Sequence, residues 1–176
     1  MLTVSLPDAA EARCNKTFEA LMWAMARPGQ VRDMGEPGLA PVVEALIDRE
    51  CVVHSDSATL APFIANTGAT PGTIEMADHL FHETLDIEAL VSVRCGTALY
   101  PDDGATVVLQ AAHGSGTRLR LSGPGVDGVC DITLAIPPAF WSLRAALCAY
   151  PEGFDLLLVD ARAVIGIPRS THVEVL

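Results

Sequence analysis

The chain has 176 residues, half of them hydrophobic, with a mean hydropathy of +0.34 and a formal net charge of −11. That length predicts one domain over residues 1–176, able to bury about 70% of its unfolded surface without help from a metal or disulfide. The acidity disfavours nucleic acid as a partner, since phosphate backbones are repelled, and any anionic ligand would need a local arginine cluster or a second chain.

In chain order, Asp8 and Glu11 have the spacing of a capping box, and Phe18, Leu21, Met22 and Met25 follow at helical intervals. A helix from about 9 to 27 is predicted, stopped by Pro28-Gly29. Residues 39–48, LAPVVEALID, read as a second helix, and CVVH at 51–54 as a buried strand. Ser55-Asp56-Ser57 offers caps for a helix through Leu60, Phe63 and Ile64 that ends near Gly68. GATPGT at 68–73 is loop, a strand is expected near 78–82, and DIEALVSV at 86–93 has a helical pattern.

A β-rich block follows. ATVVLQA at 105–111 and TRLRLS at 117–122, separated by turn residues, predict a hairpin. SGPG at 122–125 is a second turn and VCDITL at 129–134 a third strand. Pro137-Pro138 opens a helix with Phe140, Leu143, Ala146 and Leu147 on one face. FDLLLVD at 154–160, AVIGI at 163–167 and a terminal THVEV complete the strands.

The nearly all-apolar runs at 105–111 and 154–160 predict strands buried on both faces, with helices covering the sheet on both sides. The predicted class is α/β, a three-layer α/β/α sandwich with a mixed sheet. The N-terminus MLTVSLPDAAEA lacks a basic signal segment, and no apolar run is long enough to span a membrane. Five cysteines at wide spacings, Cys14, Cys51, Cys95, Cys130 and Cys148, predict reduced thiols in a cytoplasmic protein.

Candidate chemistries are narrowed by residue type. Ten arginines accompany a single lysine, Lys16, on the polar side of the first helix. Schiff-base chemistry with pyridoxal phosphate needs a lysine, and this one is badly placed. His79 and His82 are a weak metal pair: on a helix they would share a face, on a strand they face opposite ways, and no third ligand accompanies them in the sequence. The glycine-rich HGSGTR and SGPG fit turns better than phosphate loops, although Arg118 and Arg120 keep an anion site open. On the terminal strand Ser170, His172 and Glu174 share one face, while Arg169 and Thr171 share the other with Val173 and Val175. A ladder of this kind does not converge as a catalytic triad must. Those polar residues suit an edge docked against a partner, or an anion held by Arg169, His172 and Arg118 or Arg120.

Four segments, FEALMWAMARPG at 18–29, CGTALYPDDGATVVLQ at 95–110, RLRLSGPG at 118–125 and the ending IPRSTHVEV, resemble the PhnH family, a component of the carbon–phosphorus lyase core complex. The resemblance spans nearly the whole chain and is loose at about 69–85. It implies a fold related to the pyridoxal-phosphate transferases without the cofactor, a homodimer in isolation, and partnership with the other components of the core complex. It also implies that the assembly makes α-D-ribose 1-phosphonate 5-triphosphate from a nucleoside triphosphate and a phosphonate, and the absence of a converging catalytic set in this chain predicts a supporting part there, non-catalytic alone or co-catalytic. The alternative is a stand-alone nucleotide- or phosphate-binding transferase.

Overall fold

A computed structural model describes residues 6–176; Met1–Ser5, the start of the segment read above as lacking a signal, lie outside the described residues. Helix α1 spans Ala9–Ala26 and opens as predicted: the Asp8 carboxylate accepts the Ala10 and Glu11 amides, and Glu11 accepts the Asp8 amide in return. Helices α2 (Ala40–Leu46) and α3 (Ala61–Thr67) follow, the latter closed by Gly68 in the left-handed conformation. At the start of α3 the Ser57 hydroxyl accepts the Leu60 amide.

The main sheet has seven strands. These are β1 (Arg32–Asp33), β2 (Val52–Ser55), β3 (Thr70–Pro71), β4 (His79–His82), β5 (Thr106–Gln110), β8 (Asp155–Asp160) and β9 (Ala163–Ile167). Their order across the sheet is β1-β9-β8-β5-β4-β2-β3. Strands β3, β2, β4, β5 and β8 run parallel, β9 returns antiparallel to β8, and β1, antiparallel to β9, again runs in the direction of the other five. The sheet is therefore mixed, as expected. A second sheet consists of β6 (His113–Ser122), β7 (Cys130–Leu134) and β10 (His172–Val175). It is wholly antiparallel, with β6 in the middle.

The predicted hairpin between 105–111 and 117–122 does not form. Strand β5 lies between β4 and β8, so both of its hydrogen-bonding edges are filled. The chain instead leaves the main sheet after Gln110, and β6 pairs with β7 through the SGPG turn. The sequences carry the distinction. TVVLQ is apolar without alternation, while TRLRLS alternates and buries only Leu119 and Leu121.

Each face of the main sheet has its own core. Ala20, Leu21 and Ala24 of α1, with Val42 and Val43 of α2, pack on Phe81, Val108, Leu157, Val159 and Val164. On the opposite face Leu80, Val107, Leu109, Leu156 and Leu158 meet Leu119, Leu121 and Leu134 of the small sheet and Phe140 and Trp141 of helix α4 (Pro138–Leu147). Helices alone cover the first face. The second is covered jointly by the three-stranded sheet and α4, so the expected three-layer α/β/α sandwich with helices on both faces holds on one side only. The helix expected at 86–93 is a single 3-10 turn, Ala89–Ser92. Among the described residues no helix is long and apolar enough to cross a membrane, and all five cysteines are free thiols.

Helix α1 departs from its predicted face. Its sheet side is Thr17, Ala20, Leu21 and Ala24, while Phe18 and Met22 are each 50% exposed. Small residues dominate the contact because the helix backbone touches β9: a Cβ on Gly166 would stand 2.6 Å from the Ala24 carbonyl. Gly166→Ala must push α1 off the sheet. A loss of about 3 kcal/mol, read from urea unfolding followed by circular dichroism, is expected.

Two histidines give stability a pH dependence. His113 sits where the chain crosses between sheets; its amide donates to Asp160 Oδ2 at 2.9 Å and its Nε2 lies 3.2 Å from the Leu158 carbonyl. Burial holds the His113 and His79 imidazoles below the ordinary value of 6.5. The unfolded chain therefore binds more protons below that pH, and this contribution is complete above 6.5 and lost as pH falls toward the folded-state values. The urea midpoint should drop between about pH 7.5 and about pH 5.5, and His113→Asn should flatten that drop.

Candidate functional site at the terminal turn

Strand β9 ends at Ile167, and Pro168 to Thr171 form a tight turn in which the Thr171 amide donates to the Pro168 carbonyl at 2.9 Å. The terminal strand is thus shorter than the sequence pattern suggested, and its polar residues divide between the turn and β10. Arg169 is spent inside the fold. Its guanidinium embraces Asp155 at the start of β8, with Nη2 to Oδ2 at 2.7 Å, and its amide donates to Oδ1 of the same carboxylate at 2.8 Å. It also donates to the carbonyls of Pro101 and Gly104, so one side chain ties the 101–104 loop to the sheet and the turn. The Asp155 carboxylate holds the Arg169 guanidinium above its ordinary value.

On β10, His172 and Glu174 are exposed, and Val173 is partly buried against the core. The predicted alternation holds over these residues. Glu174 stands opposite Arg120 and His172 opposite Ser122. Arg120 is itself clasped by Asp131 of β7 through two hydrogen bonds of 2.8 and 3.0 Å. That pairing lowers the Asp131 carboxyl and raises the Arg120 guanidinium. Arg118, Arg120, His172 and Glu174 therefore share the open face of the small sheet, while Arg169, Ser170 and Thr171 belong to the turn.

Strand β10 is an edge strand. The Leu176 amide donates to the Arg118 carbonyl at 3.0 Å. Antiparallel bonding alternates along a strand, so Glu174 and His172 also bond toward β6, and the main-chain groups of Val173 and Val175 point outward. An unpaired row of this kind is a template for another strand.

Behind the turn lies a cavity of about 290 Å³ between α4 and β10, walled by Trp141, Arg144, Ala145, Cys148, Tyr150 and residues 169–173. It gathers Arg169, Ser170, Thr171 and His172, and leaves out Arg118, Arg120 and Glu174. Sequence reasoning missed Arg144. The apolar face assigned to α4 set Arg144 outside it, yet the buried residues are Phe140, Trp141 and Arg144. Only 3% of Arg144 is exposed, and it donates to the Thr171 carbonyl at 3.2 Å and the Pro168 carbonyl at 2.7 Å. Burial pulls its guanidinium below the ordinary value. The available signal was a lone arginine within an otherwise small and apolar helix, one turn beyond Phe140.

The histidines of β4 separate as expected for a strand. His79 lines a shallow apolar crevice beside α1, and His82 is buried against Asp56, with Nδ1 to Oδ2 at 3.2 Å. Among the described residues no three His, Cys, Asp or Glu side chains gather around a common point for a metal ion.

Comparison with known proteins fixes the kinship. A family model described as "Bacterial phosphonate metabolism protein (PhnH)" matches residues 8–174. The chain belongs to the PhnH family. The "Putative C-P lyase subunit protein HtxG" of Stutzerimonas stutzeri is 32% identical over 171 residues, covering 92% of this chain and 86% of that protein. The "Alpha-D-ribose 1-methylphosphonate 5-triphosphate synthase subunit PhnH" of Rhizobium meliloti (strain 1021) is 30% identical over 176 residues, covering 89% and 88% respectively. The PhnH match runs through α1, both sheets and β10, and so includes the terminal turn.

Arg169 is a planar fork serving one carboxylate and two carbonyls, a geometry lysine cannot reproduce. Arg169→Lys should therefore destabilise almost as much as Arg169→Met. The loss expected for both is roughly 2 kcal/mol, below that of a fully buried pair because part of the pair is wetted. Limited proteolysis should also find the 95–104 loop newly susceptible; unchanged cleavage would show the tie to be dispensable.

Proposed function

We propose that this chain is a subunit of a carbon–phosphorus lyase assembly that supports formation of α-D-ribose 1-phosphonate 5-triphosphate from a nucleoside triphosphate and a phosphonate. The observation that carries the proposal is similarity along almost the full chain to two proteins whose names both call them subunits. The open edge of β10 and the polar face beside it supply a docking surface for the other subunits, with His172, Glu174, Arg118 and Arg120 at hand to pair across it. We assign the chain a supporting role, without independent catalysis or a cofactor, in the cytoplasm.

The layered α/β architecture is compatible with descent from the pyridoxal-phosphate transferase fold, which the family resemblance implies. The same reading has the isolated chain pairing with a second copy. Half-exposed Phe18 and Met22, with Trp23 at 42%, offer apolar area along α1 that such a pair would bury.

Removing the terminal strand outright would also uncover Leu119 and Leu121, so a point change is the cleaner test. Val175→Pro deletes one outward amide while leaving the bonds to β6 in place. Co-expressed with the neighbouring phosphonate-metabolism proteins, this variant should be recovered in complex at least about tenfold less than wild type, with an unchanged circular dichroism spectrum. Full recovery of the complex would refute the docking role of the edge. Turnover of a phosphonate or nucleotide by the purified chain alone would refute the supporting role.

A further inference from the structure

At the end of the main sheet where the parallel strands begin, the 95–104 loop is held more firmly than an exposed connection requires. From one side Arg94, paired with Asp78 ahead of β4, donates to the Asp103 carbonyl. From the other Arg169, paired with Asp155, donates to the Pro101 and Gly104 carbonyls. Within the loop the Thr97 amide donates to the Tyr100 carbonyl at 3.1 Å, and the Thr97 hydroxyl accepts the Tyr100 amide at 3.0 Å. Loops are ordinarily the mobile part of a fold. This one is fixed by two guanidiniums and by its own turns, so its tip is presented in one orientation.

The tip adds nothing to either core. Leu99 is 77% exposed, and Tyr100 beside it is more than half exposed. Two segments bonded to this loop or to its arginines carry residues of the same kind. Tyr150 stands on the turn whose Gly153 amide donates to the Cys95 carbonyl at 2.8 Å, and the Met76 carbonyl accepts from Arg94. Both side chains are more than half exposed. The chain has only two tyrosines, and both stand on this surface. Single exposed apolar residues are ordinary, but a group of them on adjoining, fixed segments marks an interaction site. Tyrosine and methionine are favoured at the centres of interfaces, and a pinned loop loses little conformational entropy on binding.

The charge around the patch selects its partner. Arg94 and Arg169 are neutralised by Asp78 and Asp155. Asp102, Asp103 and Glu152 have no cation within ion-pair distance among the described residues, so the surface is apolar with an acidic border. Phosphate-bearing ligands and anionic lipids are repelled by such a border. An apolar cleft rimmed by lysine or arginine on another protein matches it in both respects. We propose that the 97–103 tip, with Tyr150 and Met76, docks into a basic-rimmed apolar cleft of another subunit of the assembly. The proposal rests on the reading of this chain as a subunit and adds a contact made by residues other than those of the β10 edge. Tyr150 also walls the cavity beside β10, so the patch adjoins that edge.

The test compares the free full-length chain with the complex purified after co-expression with the neighbouring phosphonate-metabolism proteins. Both are treated with tetranitromethane, and nitration of the two tyrosines is mapped by mass spectrometry. Tyr100 should nitrate in the free chain and be protected in the complex. A double variant, Leu99→Ser with Tyr100→Ser, should be recovered in complex at least about tenfold less than wild type. Its Tm as a free chain should be unchanged, because neither side chain packs on a core. Asp102→Lys with Asp103→Lys should weaken assembly most at low salt, since reversed charge repels a basic rim. Equal nitration of Tyr100 in the free chain and the complex overturns the proposal and leaves the subunit reading intact, as does full recovery of complex by the double variant. Stronger assembly on charge reversal also overturns it, by showing an acidic partner. Loss of self-association with the complex intact overturns it too, and gives the patch to a second copy of the chain. Failure of the wild-type chain to form any complex overturns the subunit reading and this proposal together.

Discussion

Strands β5 and β8 have no solvent side. Val107, Val108 and Leu109 are buried, as are Leu156 to Val159, so successive side chains enter cores on opposite faces of the sheet. Every other element is placed by the need to cover those faces. Helices α1 to α3 close one. The chain then has to supply a second cover from what remains, and does so with a three-stranded sheet and a single helix. Strand β10 follows from this arrangement, because a small sheet laid across a larger one necessarily ends in edges, and the last strand forms one of them. Location of the free edge and location of the cavity are consequences of the same packing problem.

Much of this was legible in the sequence because it is written in local chemistry. The Asp8–Glu11 capping box, the Gly68 stop and the continuous apolar runs each depend on neighbours along the chain, and each element formed where its residues indicated. Pairing was less legible. Two adjacent β runs separated by turn residues read as a hairpin, but β5 already had partners from elsewhere in the chain. That competition is decided by tertiary contacts, which no short window contains. The alternation in TRLRLS did mark β6 as a strand with one wet face, and so as a poor neighbour for strands buried on both sides.

The terminal segment shows a further limit. Period-two reasoning put Arg169 and Thr171 on one face of a strand, and the turn at Pro168–Thr171 broke that register. Arg169 turned inward to Asp155, a residue fourteen positions earlier, and to loop carbonyls still farther away. Arg144 was invisible for a related reason. On α4 the buried stripe is rotated from the one a hydrophobicity count selects, because the helix meets the turn at Pro168 and Thr171, whose carbonyls need donors. An arginine satisfies two of them at once, which an apolar residue cannot do.

The charge balance sharpens the meaning of that residue. The chain has 22 acidic residues for 11 lysines and arginines, so acidic partners are abundant. The exposed Arg120 and Arg162 each engage a carboxylate through two hydrogen bonds, and the partly buried Arg94 and Arg169 are paired as well. Exposed pairs of this type contribute little, since water would solvate the charges almost as well. Arg144 reverses the pattern: among the described residues it is the most deeply buried arginine and has no carboxylate, in a protein rich in them. Its donors go instead to the Pro168 and Thr171 carbonyls, so the guanidinium braces the terminal turn against α4.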